Sequence, residues 1–330
     1  MKSGLGRYLV SPGAKALAAL LLVLLLGFIF NAEGAFLKWE THRDLFRQVS
    51  VLGILACGMT LVIVTGGIDL SVGSLVGLAA VLASILTIRL GWPGLLALPA
   101  CLLAGAACGA ASGALVVRFR VQPFIATLAM MVFARGLAKF VAGGRKISRS
   151  VLLPDGNYRY AELTGLFRVL EAKILWGNLA LVTLVFLACA LVTWVVLARL
   201  RWGRYLYAIG GNEEASRLSG VPIGAMKLLA YGLAGAFAAL AGVCHAAQAH
   251  QGDPEAGVAY ELSAIAMVVI GGTSLSGGRG GMGLTLLGVL VIGYLDKILS
   301  INIVPEAWRL MLTGVIIVGA VLFQSGGRRT

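Results

Sequence analysis

Apolar runs of about 20 residues recur along almost the whole chain, and they constrain its fold more than any other feature. About 20 residues is the length at which an α-helix crosses the hydrocarbon core of a bilayer. Lipid offers no hydrogen bonds to the backbone, so a chain that is 59% hydrophobic spans it as helices whose amides and carbonyls pair internally. The sequence therefore predicts an all-α polytopic membrane protein.

The apolar runs and the breakers between them define about ten predicted spans. An even number of spans places both chain termini on the same side of the membrane. Three arginine clusters fall on that side, at 118–120, at 198–204 and at the carboxyl end, and positive charge favours the cytoplasmic face. We therefore expect both termini in the cytoplasm. The predicted spans lie near residues 13–32, 48–66, 71–89, 94–117, 122–142, 173–198, 222–247, 259–276, 282–300 and 306–324.

The formal net charge of +13 does not indicate a nucleic-acid partner. Most lysines and arginines sit at the ends of apolar runs, which is typical of membrane anchoring by lipid-facing helices. Cysteines and histidines show no metal-ligand spacing, and no metal site or other cofactor is expected. The chain also lacks a G-x-x-x-x-G-K-[ST] phosphate loop, an HExxH pair and a G-x-S-x-G elbow. We expect no catalytic residues and no ATP site of its own.

The stretch TGGIDLSVGS, residues 65–74, interrupts the apolar pattern between the second and third predicted spans. Gly66 and Gly67 are poor helix formers, whereas Asp69 and Ser71 are residue types that accept hydrogen bonds from the free amides opening a helix. Such a break must be buried in protein or line a wet cavity. Asp69 is interpreted either as a structural cap of the broken helix or as a direct contact for a transported molecule.

A second break repeats the pattern of the first. VVIGGTSLSGG, residues 268–278, resembles VIVTGGIDLSVGS, residues 62–74. In this comparison Gly271 and Gly272 correspond to Gly66 and Gly67, and Ser276 corresponds to Ser71. Ser274 lies between the glycines and Ser276 in the second stretch. Broken helices at matching positions of two halves indicate a transport pathway.

Arg135 is the other conspicuous charge inside a predicted span. Because isolated charges are costly in lipid, it is expected to have a partner or to face an aqueous path. One hypothesis pairs Arg135 with Asp69 or places it on the pathway. The alternatives are an arginine that reaches the interface with its long side chain, or one that bonds backbone carbonyls.

Two connections are too long and too polar to be simple turns. Residues 143–172 are expected to form an external loop with a short strand or helix. Residues 199–221 include NEEASRL, in which Asn212 can cap a helix, Glu213 and Glu214 occupy its first turn and Arg217 follows. This pattern predicts a short polar helix outside the bilayer.

Four ordered stretches carry a family resemblance: GMTLVIVTGGIDLSVGS (58–74), VQPFIATLAMM (121–131), GRYLYAIGGNEEASRLSGV (203–221) and YELSAIAMVVIGGTSLSGGRG (260–280). The sequence resembles the permease subunits of ATP-binding cassette importers for monosaccharides, of the ribose type. The resemblance implies that residues 1–330 form a single ten-span permease domain and that residues 199–221 form its cytoplasmic coupling loop. The implied coupling residues are Gly210, Gly211, Asn212, Glu213, Glu214, Ala215 and Arg217.

The same resemblance implies a location and partners. The chain would lie in the bacterial inner membrane, pair with a second permease subunit, and work with cytoplasmic ATPase subunits and a periplasmic sugar-binding protein. Two other functions remain open: a secondary transporter or channel that acts alone, and an intramembrane enzyme. Neither the sugar nor the choice between a homodimer and a heterodimer follows from the sequence.

Overall fold

The structure is a computed structural model. It describes residues 11–152, 157–160 and 165–326. The chain folds mainly into helices, which we number in chain order. The first five are α1 (Pro12–Ile29), α2 (Trp39–Val64), α3 (Val72–Ser84), α4 (Gly94–Arg118) and α5 (Pro123–Ala142).

The second half of the chain contains long and short helices. They are α6 (Gly165–Glu171), α7 (Leu181–Ala198), α8 (Arg201–Gly211), α9 (Glu213–Leu218), α10 (Ile223–Ala249), α11 (Tyr260–Gly271), α12 (Met282–Ile301) and α13 (Glu306–Gly326). One wider helical turn, Ile85–Arg89, prolongs α3.

Each predicted span corresponds to a helix, which confirms the all-α polytopic prediction. Among the described residues, eight helices are long and apolar enough to cross a membrane: α1, α2, α3 with its extension, α4, α5, α7, α10 and α12. The remaining two predicted spans correspond to α11 and α13. With 12 residues, α11 is only about 18 Å long, so the full span predicted at 259–276 is wrong.

The span predicted at 173–198 also begins later than expected, because a hairpin precedes α7. Strands β4 (Lys173–Ile174) and β5 (Leu179–Ala180) pair in antiparallel fashion. Between the two strands, each of Leu175, Trp176 and Gly177 has a positive φ angle. The backbone therefore reverses direction before α7 begins. The sequence prediction missed this turn because the segment is mostly apolar and reads as part of a span.

The long connection after α5 contains short strands and a helix, as predicted. Strand β1 (Ile147–Ser148) pairs with β6 (Gln251–Gly252), and β2 (Ser150–Leu152) pairs with β3 (Tyr158–Tyr160). The β1–β6 pair ties this connection to the segment between α10 and α11. Pro154, Asp155 and Gly156, which belong to the same predicted external loop, lie outside the described residues.

Helix α10 lies at the centre of the fold and packs against α2, α3 and α4. Gly105 of α4 and Gly235 of α10 face each other so closely that a Cβ on either would overlap the other's carbonyl oxygen. Small residues permit this approach where lipid provides no hydrophobic drive for association. The resulting core places the two broken segments at the same end of the helix bundle.

Candidate functional site

The first broken segment begins where α2 stops. The amide of Gly66 donates to the carbonyl of Ile63 at 2.9 Å, and the amide of Gly67 donates to the carbonyl of Val62 at 3.2 Å. Gly66 has a φ of 79°, a left-handed conformation in which glycine carries no Cβ penalty. The hydrogen-bond pattern is that of a Schellman-type helix end.

Asp69 forms a local turn with Ser71 and does not cap the helix, because the N-cap residue of α3 is Ser71 and no side-chain hydrogen bond caps that helix. One carboxylate oxygen accepts from the Ser71 amide at 2.8 Å and from the Ser71 hydroxyl at 2.6 Å, just before α3 begins. The residue is fully buried, and its other carboxylate oxygen has no hydrogen-bond partner among the described residues. The hydroxyl of Tyr231 donates to the neighbouring Ile68 carbonyl at 3.5 Å. In this conformation Asp69 therefore orders the break and does not face an open path.

The second broken segment ends α11 in the same way. The amide of Gly272, at a φ of 110°, donates to Val269 at 2.9 Å, and the Thr273 amide donates to Val268 at 3.2 Å. The two breaks thus form the same structural repeat, but in a different register from the sequence comparison: Gly66 corresponds to Gly272 rather than to Gly271. Gly271 is instead a buried residue packed against the Leu284 backbone.

After Thr273 the chain makes a tight turn. The amide of Ser274 donates to the Arg279 carbonyl at 3.0 Å, and the hydroxyls of Ser274 and Ser276 lie 2.9 Å apart. These two serines therefore shape the turn. The turn brings Gly277 and Gly278 back towards the end of α2.

The two breaks meet directly. The amide of Gly278 donates to the carbonyl of Val64, the last residue of α2, at 2.9 Å. A Cβ on Gly277 would lie 2.7 Å from the Gly66 nitrogen. The end of one broken helix is thus completed by the turn that follows the other.

The carboxyl end of α8 enters the same place. A Cβ on Gly210 would overlap the Val64 carbonyl oxygen and would lie 2.5 Å from the Gly278 nitrogen, and one on Gly278 would lie 2.9 Å from the Gly211 Cα. The Tyr207 hydroxyl also donates to the Gly280 carbonyl at 3.0 Å. We call this contact between three backbones the glycine junction; it comprises Gly66, Gly210, Gly211, Gly277 and Gly278.

Helix α9 is the predicted short polar helix. The side chain of Asn212 caps it by accepting from the Ala215 amide at 3.0 Å, and Glu213 and Glu214 occupy its first turn. Arg217 lies 3.7 Å from Glu213 and 3.6 Å from Glu214. The sequence did not reveal that the extended backbone of Asn212 separates α9 from a second helix, α8.

Lys227 is a functional candidate that the sequence reasoning missed. Its ammonium group lies 2.6 Å from the Glu213 carboxylate, and only 14% of its side chain is exposed. This ion pair fastens α9 to the first turns of α10. No motif marks Lys227, because its partner is 14 residues away on another helix.

A cavity of about 670 Å³ lies beside the junction. Its walls come from the first break, the α4–α5 connection, α9 and the start of α10. Polar and apolar groups share the lining, which consists of Thr65, Gly66, Gly67, Val116, Val117, Arg120, Val121, Gln122, Pro123, Glu213, Arg217, Ile223, Gly224, Lys227 and Tyr231.

Arg135 does not pair with Asp69. Its guanidinium donates to the carbonyls of Pro254, of Ala256 at 2.8 Å and of Gly73 at 3.4 Å. The hypothesis of an Arg135–Asp69 pair is therefore wrong for this conformation, and the carbonyl-bonding alternative is correct. The reason is geometric: the segment between α10 and α11 folds back along α3 and presents its carbonyls to Arg135.

Two ion pairs also join the carboxyl end of α5 and the residues after it to the segment between α10 and α11. Lys139 lies 2.6 Å from Glu255, and Lys146 lies 2.8 Å from Asp253. We call Arg135, Lys139 and Lys146, together with residues 253–256, the charged clamp. The lysines and acids were not identified from the sequence, since neither set forms a motif by itself.

The carboxyl group of Asp253 has a shifted pKa. Burial by itself raises its pKa, but hydrogen bonds from Lys146 and from the Glu255 amide, with the charges of Lys146 and His245, outweigh burial. The net result is a pKa below the ordinary value for aspartate. Asp253 is therefore held in its charged form.

Within the residues that the structure describes, no group of three or more His, Cys, Asp or Glu side chains could hold a metal ion. Spanning helices, two equivalent helix breaks and a helix, α8, whose carboxyl end contacts both breaks define a polytopic membrane permease.

The family model described as "Branched-chain amino acid transport system / permease component" matches residues 43–321. The chain belongs to this permease family. It is 41% identical over 312 residues to the ribose import permease protein RbsC of Escherichia coli strain K12, covering 94% of this chain and 93% of that protein.

Two other relatives are named for different sugars. The fructose import permease protein FrcC of Rhizobium meliloti is 36% identical over 320 residues, covering 97% of this chain and 87% of that protein. The xylose transport system permease protein XylH of Escherichia coli strain K12 is 32% identical over an alignment of 358 residues, covering 94% and 91%. No solved structure matches the chain.

Proposed function

We propose that the chain is the membrane-spanning permease subunit of an ATP-binding cassette importer that moves a monosaccharide of the ribose type across the bacterial inner membrane. The relatives named for ribose, fructose and xylose support a monosaccharide, although the family description refers to amino acids. The absence of a phosphate-loop motif from the sequence supports separate ATPase subunits as the source of energy.

The glycine junction is the observation that carries the coupling mechanism. Residues 199–221 act as the cytoplasmic coupling loop, and α9 is the element that the ATPase subunits push. Because Gly210 contacts both Val64 and Gly278, a displacement of α8 and α9 must move the ends of both broken helices. Rigid-body movement of packed elements then alternates access to the path.

The orientation and partners follow from this proposal. The junction end of the bundle faces the cytoplasm with both termini, and the charged clamp faces the periplasm. The permease, a single domain over residues 1–330, works as a dimer with a second permease copy or a similar chain. A periplasmic binding protein delivers the sugar.

The candidate pathway residues take two roles in this mechanism. Gly66, Gly67, Asp69 and Ser71 shape the first break, and Gly271, Gly272, Ser274 and Ser276 shape the second. Arg135 holds the outer connection between α10 and α11 in place. In this conformation these residues control the path by positioning its broken helices.

Coupling is tested in proteoliposomes that contain the permease, its ATPase subunits and its binding protein, by following uptake of labelled ribose, fructose and xylose. We expect the Glu213→Lys/Glu214→Lys variant to lose uptake and sugar-stimulated ATP hydrolysis, because it reverses the charge of α9 and repels Lys227. Glu306→Lys, an exposed substitution outside α9, is the matched control and should transport normally.

Two results would contradict the proposal. Unchanged uptake by the double variant would remove α9 from coupling. Uphill accumulation of sugar by the permease without any ATPase subunit would instead favour the alternative function, a secondary transporter or channel that acts alone.

A further inference from the structure

The hairpin before α7 has an exposed apolar tip, and neither the family description nor the relatives' names assign it a role. Strands β4 and β5 form its arms, and we call residues 173–180 the tryptophan hairpin. We propose that its tip inserts into the interfacial layer of the bilayer and anchors the amino end of α7 to lipid. This anchor goes beyond the proposed function and acts whatever solute the permease moves.

The tip presents large apolar side chains next to a cation. Trp176 is 99% exposed, Leu175 is 61% exposed, and Ile174 beside them is exposed as well. Contiguous apolar surface of this kind marks contact with a membrane or a partner. Lys173 at the base of the hairpin is also exposed. Indole rings concentrate at the level of lipid headgroups, and a lysine stem can lie along apolar groups while its ammonium reaches the phosphates.

The backbone holds these side chains in a conformation that they disfavour. The φ angles are 51° at Leu175 and 56° at Trp176, in the left-handed region where a bulky residue is an outlier. The Gly177 amide closes the turn by donating to the Ile174 carbonyl at 3.2 Å. Asparagine or glycine would fit such a turn better. Strained positions concentrate at functional sites, and insertion into lipid explains why apolar residues occupy this one.

The hairpin is held at the depth of a membrane interface. The indole of Trp39, at the start of α2, donates to the side-chain oxygen of Asn178 at 3.0 Å. Helix α2 has 26 residues, so it is about 39 Å long, and it ends beside the glycine junction. The hydrocarbon core is about 30 Å thick, and the bilayer with its interfacial regions is about 40–45 Å thick. With the junction at one interface, the hairpin therefore lies in the other interface rather than far out in water.

Helix α7, which the hairpin precedes, is a short span. Its 18 residues extend about 27 Å, slightly less than the hydrocarbon core of about 30 Å. It contains no charged residue, and it exposes Leu187, Leu191 and Trp194, as expected of a helix in contact with lipid. A short span otherwise requires local thinning of the bilayer. An inserted apolar tip would instead cover the remaining depth.

The first test measures the depth of the tip by electron paramagnetic resonance. Trp176→Cys is introduced into a chain whose five native cysteines are replaced by alanine, spin-labelled, and reconstituted into vesicles of phosphatidylethanolamine and phosphatidylglycerol. We expect the label to collide more often with oxygen, which dissolves in lipid, than with a water-soluble nickel complex. Its depth should be about 5–10 Å into the headgroup–acyl boundary, as for other interfacial apolar groups.

Two matched positions calibrate this measurement. Leu191→Cys, on the exposed face of α7, is the lipid reference and should favour oxygen more strongly than the label at the tip. Arg145→Cys, an exposed position in the polar connection after α5, is the aqueous reference and should favour nickel.

The second test keeps the native cysteines and the native tip. Tryptophan fluorescence of the wild type and of Trp176→Phe is measured in vesicles whose lipids carry bromine near the headgroup end of the acyl chains. The emission that the wild type has in excess of the variant belongs to Trp176. We expect brominated lipid to quench this emission and aqueous iodide to quench it little.

Three results would overturn the anchor. A label at position 176 that is as accessible to nickel as the one at position 145 would place the tip in water. Trp176 emission quenched by iodide and not by brominated lipid would do the same, even if the cysteine variant failed to reconstitute. Protection of the label from nickel only after a periplasmic sugar-binding protein is added would show that the tip docks a protein. None of these measurements uses sugar uptake, so failure of the proposed function would leave them intact.

Discussion

The glycine junction joins the ends of α2 and α8 to the turn after α11, the charged clamp joins α5 to the connection before α11, and the two regions use opposite chemistry. At the junction, Gly210, Gly277 and Gly278 bring bare backbones into contact, with no flexible side chain between them. At the clamp, the outer connection is held by long side chains, and the Lys139 and Glu255 side chains are about half exposed, at 50% and 56%. Backbone contacts transmit displacement, whereas solvated ion pairs separate at little cost.

This difference suits the two ends to different tasks in the proposed mechanism. The junction end receives force from the ATPase subunits and must pass it to both broken helices. The clamp end must open and close as solute arrives. We therefore expect added volume to be most harmful at the junction and altered charge to matter most at the clamp.

Gly210→Ala should have the largest effect of any single substitution at the junction or the clamp. The new methyl group would overlap the Val64 carbonyl, so the backbones must separate, at a cost of about 1–3 kcal/mol typical of overpacking. We expect sugar-stimulated ATP hydrolysis and uptake to be largely lost while basal hydrolysis persists. The measurement is the ratio of stimulated to basal hydrolysis in proteoliposomes.

Gly211→Ala is the matched control for this change. A Cβ at Gly211 has no neighbouring atom within 4 Å, and the variant should behave like the wild type. If the two alanine variants were indistinguishable, the junction would be compliant and the contrast with the clamp would disappear.

Arg135→Gln should have the next largest effect, through stability rather than coupling. The change removes the charged donor shared by the carbonyls of Gly73, Pro254 and Ala256, and a hydrogen bond to a charged group contributes about 1.5–3 kcal/mol. We expect a lower melting temperature in detergent. Arg135→Lys keeps the charge but loses the fork of donors, so its melting temperature should lie between those of the wild type and Arg135→Gln.

An unchanged melting temperature for Arg135→Gln would show that water or lipid headgroups satisfy those carbonyls. The clamp would then consist only of its two lysine ion pairs.

The exposed Lys139–Glu255 pair should have a smaller effect. Such pairs contribute about 0–1 kcal/mol, so Lys139→Glu alone should lower the melting temperature slightly, and more at low salt than at high salt. The exchanged variant Lys139→Glu/Glu255→Lys should restore wild-type stability. Failure of the exchange to restore it would mean that the lysine stem, rather than its charge, makes the contact.

The sequence predicted the features that depend on neighbouring residues. Hydrophobic runs located the spanning helices, glycine doublets located both helix ends, and Asn212 with its acidic neighbours located α9. These signals are local because helix termination and capping are completed within about one turn.

The features that the sequence did not predict depend on contacts between distant segments. Lys227 meets Glu213, and Arg135 meets the carbonyls of Pro254 and Ala256, only because the helices pack in this order. The Arg135–Asp69 hypothesis failed because it matched two charges without knowing that backbone carbonyls lay nearer. The one-residue difference in register between the breaks likewise appeared only from the hydrogen bonds.

The pH dependence of stability should be the smallest of these effects, and it isolates the contribution of one charge, that of Asp253. Since the folded pKa of Asp253 is lower than its ordinary value, the ionised carboxylate stabilises the folded state above that ordinary value, about 3.8. This stabilisation is lost as the pH falls through the lower, folded value. We expect the melting temperature of Asp253→Asn to lie below that of the wild type at neutral pH, and the gap to narrow progressively as the pH falls below about 4.

Lys146→Gln removes the partner cation and should lose most of the same stabilisation at neutral pH, because Lys146 supplies both a hydrogen bond and a charge to Asp253. Its melting temperature should therefore approach that of Asp253→Asn. A gap between Asp253→Asn and the wild type that stayed constant down to about pH 3 would mean that shape, and not charge, holds Asp253 in place. The distinction between a charged clamp and a packed junction would then no longer hold at this position.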